Sequence, residues 1–357
     1  MPDHATKSGV LLDIENCYAA GWTDGMPVVP PYGALVDEML AGMGWESTQI
    51  VGAIPSQSLE VRAEQLAATA VMAGCAPQYG PLLRALSESL LDRDFNLSGV
   101  EVTTGGVAAL VIVGGPIVAE LGFEHGANAL GATARPNATV GRFAQMVRLF
   151  CGRAGGSLQP HGTVGHPGRL SFLIAEHPET IWPQFHTQLG HEPGTSVVSV
   201  MAAEGPSSVN NHFAADGARI LDTIADCIAH FGTTNFYYRH GAYVVALAPE
   251  HAELVTRDFP DRENAQEYLA KTAVRATDDL IRLGRIPEQP REDLAVEPGT
   301  LRAPVRRPDR IHFVETGAPG GKFSAVIPAW AGSRHDVSRA ISVDRPGVTG
   351  ARAEVRS

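Results

Sequence analysis

The chain has 357 residues, of which 44% are hydrophobic and 19% charged, and its formal net charge is −11. This composition is typical of a globular protein and excludes a largely disordered chain. The acidic balance disfavours nucleic acid and anionic membranes as general partners, because both require a positively charged surface.

The sequence carries no pattern that predicts a place in or beyond a membrane. Its most apolar stretch, residues 107–113, is far shorter than the about 20 residues that a membrane-spanning helix needs. The first ten residues lack the basic and apolar pattern of a signal peptide. We therefore expect a soluble, cytoplasmic protein with reduced thiols. The four cysteines are widely spaced and are Cys17, Cys75, Cys151 and Cys227.

The first third of the chain alternates between helix and strand patterns. Apolar residues at helical spacing predict helices, one of which begins at Pro77, a favoured first helical position for proline. Runs of β-branched residues predict strands, and residues 108–113 have the composition of a strand buried on both faces. The predicted helices are 11–20, 32–43, 61–73 and 77–91, and the predicted strands are 49–54, 100–104 and 108–113.

Residues 114–168 are rich in glycine, asparagine and proline and predict loops around one helix, 140–151. An amphipathic helix is predicted at 216–231 with Asp216 as its N-cap, and another begins at Pro249. Strands are predicted at 170–175, 196–201, 243–248 and 311–315. Strand, helix, strand and helix in this order indicate a βαβ-type element.

We therefore predict an α/β fold, with mixed α+β as the alternative, in which a mixed sheet is flanked by helices. The active site is expected in the Gly/Asn/His-rich loops, and no internal repeat is evident in the sequence. Four regions are expected in chain order: a main catalytic region that can hold two intertwined lobes, a proline-rich wrapping linker, a closing strand with a glycine-rich loop, and a loosely ordered tail. Their predicted bounds are 1–285, 286–310, 311–335 and 336–357.

Histidines are concentrated in one part of the chain. Because histidine titrates near neutral pH and is the commonest metal ligand, these side chains favour acid–base catalysis or a metal site. Their spacing matches no standard zinc motif, so loop histidines bonded to backbone and solvent remain an alternative. The residues are His161, His166, His177, His186 and His191, of which His161, His166 and His186 together with Glu176 would form the metal site.

Two further residues are predicted to take part in catalysis. Glu176 follows an apolar strand, and open α/β sheets place ligand-contacting groups at that end of a strand; a capping or surface role is the alternative. Cys75 lies just before Pro77, where the positive end of a helix dipole would lower the pKa of the thiol and favour a nucleophilic thiolate. A buried core thiol is the other interpretation of Cys75.

Several loops carry residues suited to binding an anion. Backbone amides at the turns after two predicted strands, Thr103-Thr104-Gly105-Gly106 and Gly114-Gly115-Pro116, are of the kind that cradle anions, although neither turn matches a dinucleotide or P-loop motif. Asparagine with arginine suits the binding of a carboxylate or the stabilisation of an oxyanion. The side chains concerned are Asn128, Asn137, Arg142 and Lys322, of which Lys322 lies in the glycine-rich loop 317–324.

Five segments resemble motifs of a largely uncharacterised bacterial family whose members are associated with small proteins carrying a UGSC or CGSC motif, where U is selenocysteine. The resemblance spans most of residues 15–330, although Lys322 and an insertion-like stretch near 205–240 depart from it. It implies that a thiol or selenol protein is a partner and that the positions matching its motifs are site candidates, namely Trp22, Asp24, Cys75, Asn128, Asn137, Arg142, His166 and Glu176. The segments are GWTDGMPVVPP (21–31), AVMAGCAPQY (70–79), GANALGATARPNATVGR (126–142), GTVGHPGRLSF (162–172) and GGKFSAVIPAW (320–330).

These observations lead to one expected function and two alternatives. We expect an enzyme that acts on a small polar, carboxylate-bearing molecule by lyase- or hydrolase-type chemistry, without an organic cofactor or metal and as a homo-oligomer. His166 and Glu176 would move protons. The alternatives are a non-catalytic or redox-linked subunit of a thiol or selenol protein, and a His/Glu metalloenzyme. The residues expected to bind substrate are Trp22, Asp24, Thr103, Thr104, Asn128, Asn137, Arg142 and Lys322.

Overall fold

A computed structural model describes residues 4–54, 58–131, 133–153, 162–288, 296–332 and 336–342. Within these residues the chain forms thirteen α-helices, two four-stranded sheets and two small two-stranded sheets. The α-helices are α1 (His4–Ala19), α2 (Gly33–Met43), α3 (Ala63–Ala73), α4 (Gly80–Leu90), α5 (Leu97–Val102), α6 (Ile117–Glu120), α7 (Arg135–Arg153), α8 (Phe185–Gln188), α9 (Gly217–Ile228), α10 (Asn235–Tyr238), α11 (Pro249–Asp258), α12 (Arg262–Thr272) and α13 (Thr277–Arg282). The strands are β1 (Ile50–Ile54), β2 (Leu59–Arg62), β3 (Ala108–Gly114), β4 (Leu173–Ala175), β5 (Val197–Ala203), β6 (Ser207–Asn210), β7 (Tyr243–Leu247), β8 (Arg275–Ala276), β9 (Leu301–Arg302), β10 (Ile311–Glu315), β11 (Phe323–Pro328) and β12 (Val337–Ala340).

The first large sheet has the strand order β12-β5-β3-β4. β3 pairs in parallel with β4, where Ile112 lies opposite Ile174, and antiparallel with β5, where Ile112 lies opposite Ser199. β12 extends the sheet antiparallel to β5. A parallel pair needs a long crossover, and α7 supplies it between β3 and β4.

The second large sheet has the order β10-β7-β11-β6 and repeats this arrangement. β7 pairs in parallel with β10, where Ala246 lies opposite Val314, and antiparallel with β11, where Ala246 lies opposite Ala325. β6 extends the sheet antiparallel to β11. Helices α11 to α13 lie in the crossover between β7 and β10.

The two sheets pack face to face between two outer layers of helices. Successive side chains of a strand point to opposite faces, so Ile112 joins a core between the sheets while Val111 joins a core beneath the helices. In the second sheet, Val244 and Val314 face the first sheet, and Val245 faces the helices. The central strands can lie between a second sheet and a layer of helices because both of their faces are apolar.

The two sheets have the same strand arrangement and meet near Ala203 and Ala329, which form an isolated antiparallel bridge. The hydrogen bonds on either side are reciprocal: the Glu204 N–H donates to Pro328 O over 2.8 Å, and the Trp330 N–H donates to Ala202 O over 2.7 Å. After these residues the chain passes from one sheet to the other. β6 follows β5 in the sequence but joins the second sheet, and β12 follows β11 but joins the first sheet.

The predicted α/β class with a mixed sheet and flanking helices is confirmed. The helix prediction for 32–43 and the strand predictions for 108–113 and 243–248 agree closely with α2, β3 and β7. Asp216 caps α9, since its carboxylate accepts the Arg219 N–H over 3.0 Å. None of the described helices combines the length and the apolar composition that crossing a bilayer requires.

Two predictions about the fold are wrong. Residues 100–104 do not form a strand, because the Asn96 side chain accepts the Gly99 N–H and starts the short helix α5. The strands predicted at 196–201 and 243–248 lie in different sheets, so the βαβ units are instead β3–α7–β4 and β7–β10 with its helices. The two large sheets share one strand arrangement although no repeat is evident in the sequence, because two strands can occupy equivalent places with quite different apolar residues.

Candidate functional site

A cavity of about 610 Å³ opens beside the second sheet, within the size range of small-molecule sites. Its floor comes from the carboxyl ends of β7 and β10 and the start of β11, and a loop from the first half of the chain covers it. Most lining residues are small or apolar, and Lys322 is the one charged residue among the described residues that line it. Its polar side chains are Asn128, Ser208, Thr316, Lys322 and Ser324.

A serine–histidine pair lies beside the cavity, with Ser324 among the lining residues and His251 buried behind it. Ser324 lies on β11 and lines the cavity, and its Oγ is 2.8 Å from Nδ1 of His251, a buried residue of α11. Nε2 of the same ring is 3.2 Å from the carbonyl oxygen of Asn211. Because a carbonyl only accepts, Nε2 carries the proton, and Nδ1 accepts the hydroxyl proton of Ser324.

The Asn211 carbonyl is held in place by the side chain of the same residue. Its Nδ2 donates to Thr223 Oγ1 over 2.9 Å, and its Oδ1 accepts the Ala214 N–H over 3.0 Å.

Burial lowers the pKa of His251, so the ring is neutral at pH 7 and Nδ1 is available as a base. The Ala248 N–H donates to Ser324 Oγ over 3.1 Å, which fixes the hydroxyl from the other side.

Two predicted binding residues, Asn128 and Lys322, line this cavity. Both have a left-handed backbone, with φ of 60° and 49°, so the turn geometry considered for Asn128 is present together with its place at the cavity. The Lys322 ammonium donates to the carbonyl of His212 over 3.0 Å. A backbone carbonyl does not neutralise this charge, so Lys322 is the group in the wall suited to an anionic substituent.

Asn137 holds the loop that covers the cavity. It is buried at the start of α7, its Oδ1 accepts the Glu124 N–H over 2.8 Å, and its Nδ2 donates to Glu124 O over 2.8 Å. The Thr316 hydroxyl bonds to His125 O over 3.0 Å and so joins the loop to β10. Both polar ends of the Asn137 side chain are therefore used within the protein, where they support the loop that carries Asn128, and its contact with substrate stays a prediction.

Arg142, Asp24 and Trp22 lie together near the N-terminal part of the chain. The Arg142 guanidinium binds both carboxylate oxygens of Asp24, over 2.8 and 2.7 Å, and the Pro27 carbonyl over 3.0 Å. These bonds fix the loop 21–31 against α7. Trp22 is exposed. None of the three is among the described residues that line the cavity.

Cys75 is a buried thiol whose Sγ lies 3.3 Å from the carbonyl oxygen of Thr139. Burial raises the pKa of Cys75 to about 12, and the neighbouring Arg135 and Arg142 lower it only in part. The expected effect of a helix dipole is absent because a single 3-10 turn follows Pro77 and α4 begins only at Gly80. The structure thus places Cys75 as a buried core thiol, and its role as a nucleophile stays a prediction.

Glu176 is buried at the end of β4, beside the similarly buried His186 of α8. One of its carboxyl oxygens accepts the Phe185 N–H over 2.8 Å, and Oε2 has no partner among the described residues. Burial raises the pKa of Glu176 to about 8, and the nearby Glu315 carboxyl adds to the rise. Neither ring nitrogen of His186 has a hydrogen-bond partner in the described part of the chain.

His166 caps a short 3-10 turn. Its Nδ1 accepts the Gly168 N–H over 3.1 Å, its ring packs against Phe172, and burial lowers the pKa of His166. Thr103 accepts the Gly105 N–H, and the Thr104 carbonyl accepts the N–H of Thr163. His166 and the two threonines thus stabilise turns, and they are not among the described residues that line the cavity.

Of the residues predicted for a His/Glu metal site, the three that the structure describes, His166, Glu176 and His186, do not form a metal-binding group. His161 lies outside the described residues. Across the described ranges there is no group of three or more His, Cys, Asp or Glu side chains with the geometry to hold a metal ion. His177 and His191 bond instead to the Glu179 backbone and to the Ser338 hydroxyl.

Sequence reasoning missed Ser324 and His251 as a pair. Ser324 is the last residue of the glycine-rich loop 317–324, and His251 falls in the helix that the sequence predicts to begin at Pro249. The one signal in the sequence is that His251 follows the predicted strand 243–248 and that Ser324 ends the glycine-rich loop after the predicted strand 311–315, since α/β proteins often bind ligands beyond strand ends. Comparison of the chain with protein-family models and with curated proteins gives no match. The resemblance to the UGSC-associated family, and the thiol or selenol partner it implies, stay predictions.

Proposed function

We propose that the protein is an enzyme that hydrolyses an ester or amide of a small, carboxylate-bearing molecule in the cavity beside β11. The observation that carries this proposal is the contact of 2.8 Å between Ser324 Oγ and His251 Nδ1, in which Ser324 is a lining residue of the cavity. Serine is a weak nucleophile by itself, and an adjacent neutral imidazole that accepts its proton is the usual means of activating it.

The proposed reaction has two steps that use the same base. Ser324 Oγ forms a bond to the substrate carbonyl carbon as its proton passes to His251 Nδ1, and the bond to the leaving oxygen or nitrogen breaks as that atom takes the proton. Water then attacks the acyl-enzyme, gives its proton to His251, and releases the acid as the Ser324 hydroxyl is restored. The Asn211 carbonyl supports the imidazolium that forms in each step.

The cavity lining favours a particular class of substrate. Lys322 offers the positive charge for a carboxylate, and Asn128 offers neutral hydrogen-bonding groups. The remaining wall is formed largely by alanines, prolines and glycines together with Leu130 and Phe323, which suits a small apolar chain. A monoester of a short dicarboxylic acid combines the two features.

A fluorophosphonate probe, which reacts covalently with activated serines, tests the proposal without knowledge of the substrate. We expect peptide mass spectrometry to find the probe on Ser324, and labelling to disappear in Ser324→Ala. Ser208→Ala is the matched control, since Ser208 lines the same cavity without a histidine contact in the described structure, and it should label normally. His251→Gln, with folding checked by circular dichroism, should slow labelling about 10²-fold or more. Labelling of another residue, or an unchanged rate in His251→Gln, would contradict the proposal.

A panel of monoesters tests the carboxylate preference. We expect a p-nitrophenyl ester of succinate to be hydrolysed with a higher kcat/KM than the corresponding butyrate ester. Lys322→Gln should remove about 1–2 kcal/mol of this preference and leave butyrate hydrolysis unchanged, because only the charged substrate uses the ammonium. Equal loss on both esters would show that Lys322 does not recognise a carboxylate.

A further inference from the structure

Two successive backbone carbonyls hold the two side chains that the proposed reaction needs beside Ser324. The carbonyl oxygen of Asn211 lies 3.2 Å from Nε2 of His251, and that of His212 accepts the Lys322 ammonium over 3.0 Å. The Asn211 N–H also donates to the Lys322 carbonyl over 3.5 Å, where the chain leaves the pairing of β6 with β11. These two residues, called segment 211–212 below, therefore contact both the base and the anion-binding lysine.

Helix α9 holds segment 211–212 through the hydroxyl group of Thr223. Nδ2 of Asn211 donates to Thr223 Oγ1 over 2.9 Å and, over a longer 3.4 Å, to the carbonyl oxygen of Arg219. The Thr223 hydroxyl donates its own proton to the same Arg219 carbonyl over 2.9 Å. Because that bond uses the one proton of the hydroxyl, its oxygen can only accept from Asn211, and the direction of both bonds is fixed.

Helix α9 has a fixed place beside α11, the helix that carries His251. At the start of α9 the Gly217 N–H donates to the carboxylate of Asp258, the last residue of α11, over 2.6 Å. The two helices approach so closely there that a Cβ at Gly217 would lie 2.7 Å from a backbone carbonyl oxygen of α11. Thr223 is therefore a polar group on an element whose position relative to His251 is well defined.

We propose that Thr223 is a positioning residue for the reaction at Ser324, an inference that rests on the proposed function. By holding Asn211, it keeps one carbonyl against His251 and the next against Lys322. Thr223 is not among the described residues that line the cavity, so it acts only through segment 211–212. One contact outside the cavity thus orients the base and places the ammonium that binds the substrate carboxylate.

The bond between segment 211–212 and His251 also affects the proton affinity of the imidazole. Burial lowers the pKa of His251, and the bond to the Asn211 carbonyl opposes this because it stabilises the protonated ring. Of the charged groups that face the ring, Glu250 raises the pKa, whereas Lys322 and His212 lower it. When the carbonyl is no longer held, the pKa of His251 should fall further. A general loss of stability would not move this pKa.

NMR titration of the histidine rings in the whole protein tests the contact without any reaction. Thr223→Val keeps the shape of the side chain and removes the hydroxyl, so His251 should titrate at a lower pH, and Thr223→Ser should restore the parent value. Thr256→Val is the matched control, since this hydroxyl on α11 bonds to carbonyls of its own helix. An unchanged pKa of His251 in folded Thr223→Val would overturn the proposal, whatever the reactivity of Ser324.

Kinetics of the same variants test both consequences of the contact, with thermal melting to verify folding. Thr223→Val should slow fluorophosphonate labelling of Ser324 about fivefold or more, a part of the about 10²-fold effect expected when the base is lost. It should also reduce the preference for the succinate ester over the butyrate ester, whereas Thr223→Ser and Thr256→Val should match the parent in both. Equal slowing in Thr256→Val, or an unchanged ester preference in Thr223→Val, would overturn the proposal. Absence of labelling at Ser324 in the parent protein would instead contradict the proposed function.

Discussion

Glu176 and Thr316 occupy equivalent positions in the two halves of the molecule. Glu176 lies two residues after Ile174, which pairs in parallel with Ile112 of the central strand β3. Thr316 lies two residues after Val314, which pairs in parallel with Ala246 of the central strand β7. Thr316 lines the open cavity, whereas Glu176 is covered by α8. The same place in the fold is thus accessible in one half and closed in the other.

The burial of Glu176 predicts that the stability of the protein depends on pH in an unusual way. Burial raises the pKa of Glu176 from 4.5 to about 8, so the folded protein binds the proton more tightly than the unfolded chain does. The contribution of Glu176 to the free energy of unfolding should therefore be highest below about pH 4.5. It should fall as the pH rises to about 8 and then level off. The total loss is at most about 5 kcal/mol.

Glu176→Gln should remove that dependence. Denaturant unfolding should show the variant equal to the parent protein near pH 5 and more stable near pH 8.5, because glutamine stays neutral. Glu192→Gln, at an exposed position close by, is the control and should follow the parent at both values. Parallel pH profiles for the parent and Glu176→Gln would show that the carboxyl group ionises without cost.

The sequence predicts the elements better than their assembly. Periodicity identifies α2, β3 and β7, because these segments have strong apolar patterns and clear proline or glycine boundaries. It does not identify the exchange of β6 and β12, since four-residue strands at a sheet edge carry little pattern. The crossing at Ala203 and Ala329 is a property of pairing between segments far apart in the chain, which local patterns do not encode.

The sequence predicts which residues have suitable chemistry for the candidate site, but it does not predict which of them line the cavity. Asn128 and Lys322 were predicted from residue type, and both line the cavity. Asn137 and Arg142 have equally suitable chemistry, yet their donors are used by Glu124 and Asp24. Which polar group is free depends on its partners in space, and a single sequence does not show those partners.

Asn137 should support the cavity loop without contacting ligand. Asn137→Ala leaves the N–H and the carbonyl of Glu124 without their side-chain partner, which should cost about 2 kcal/mol of unfolding free energy. Hydrogen exchange should increase in residues 124–131. Asn264→Ala, at an exposed position on α12, provides the control and should change neither quantity. Unchanged exchange in 124–131 would show that the loop is held by other contacts.

Cys75 should be inert to thiol reagents in the folded protein. Because burial raises the pKa of Cys75 to about 12, almost none of it is thiolate at pH 8. Iodoacetamide followed by peptide mass spectrometry should leave Cys75 unmodified until denaturant is added, while the partly exposed Cys227 reacts first. Cys75→Ser should keep fluorophosphonate labelling of Ser324. Rapid modification of Cys75 in the native protein would restore the nucleophile interpretation.

Gly115 should be indispensable for a reason other than anion binding. Its φ is +85°, and a Cβ at this position would lie 2.2 Å from the carbonyl oxygen of Thr195, a backbone atom that cannot move aside easily. Gly122 has a similar φ of +69° with nothing within 4 Å, so it isolates the cost of the backbone conformation. Gly122→Ala should lose about 1 kcal/mol of unfolding free energy, as left-handed alanines do.

Gly115→Ala should lose more than about 3 kcal/mol, because the steric overlap adds to that cost and must push apart the turn after β3 and the segment that leads into β5. Parallel guanidinium titrations of the two variants measure the difference, and recovery of Gly115→Ala only in insoluble form beside soluble Gly122→Ala would agree with it. Equal losses of unfolding free energy in the two variants would mean that the Thr195 backbone can move away from the added methyl group. The Gly114-Gly115 turn would then remain a candidate for binding an anion through its backbone amides.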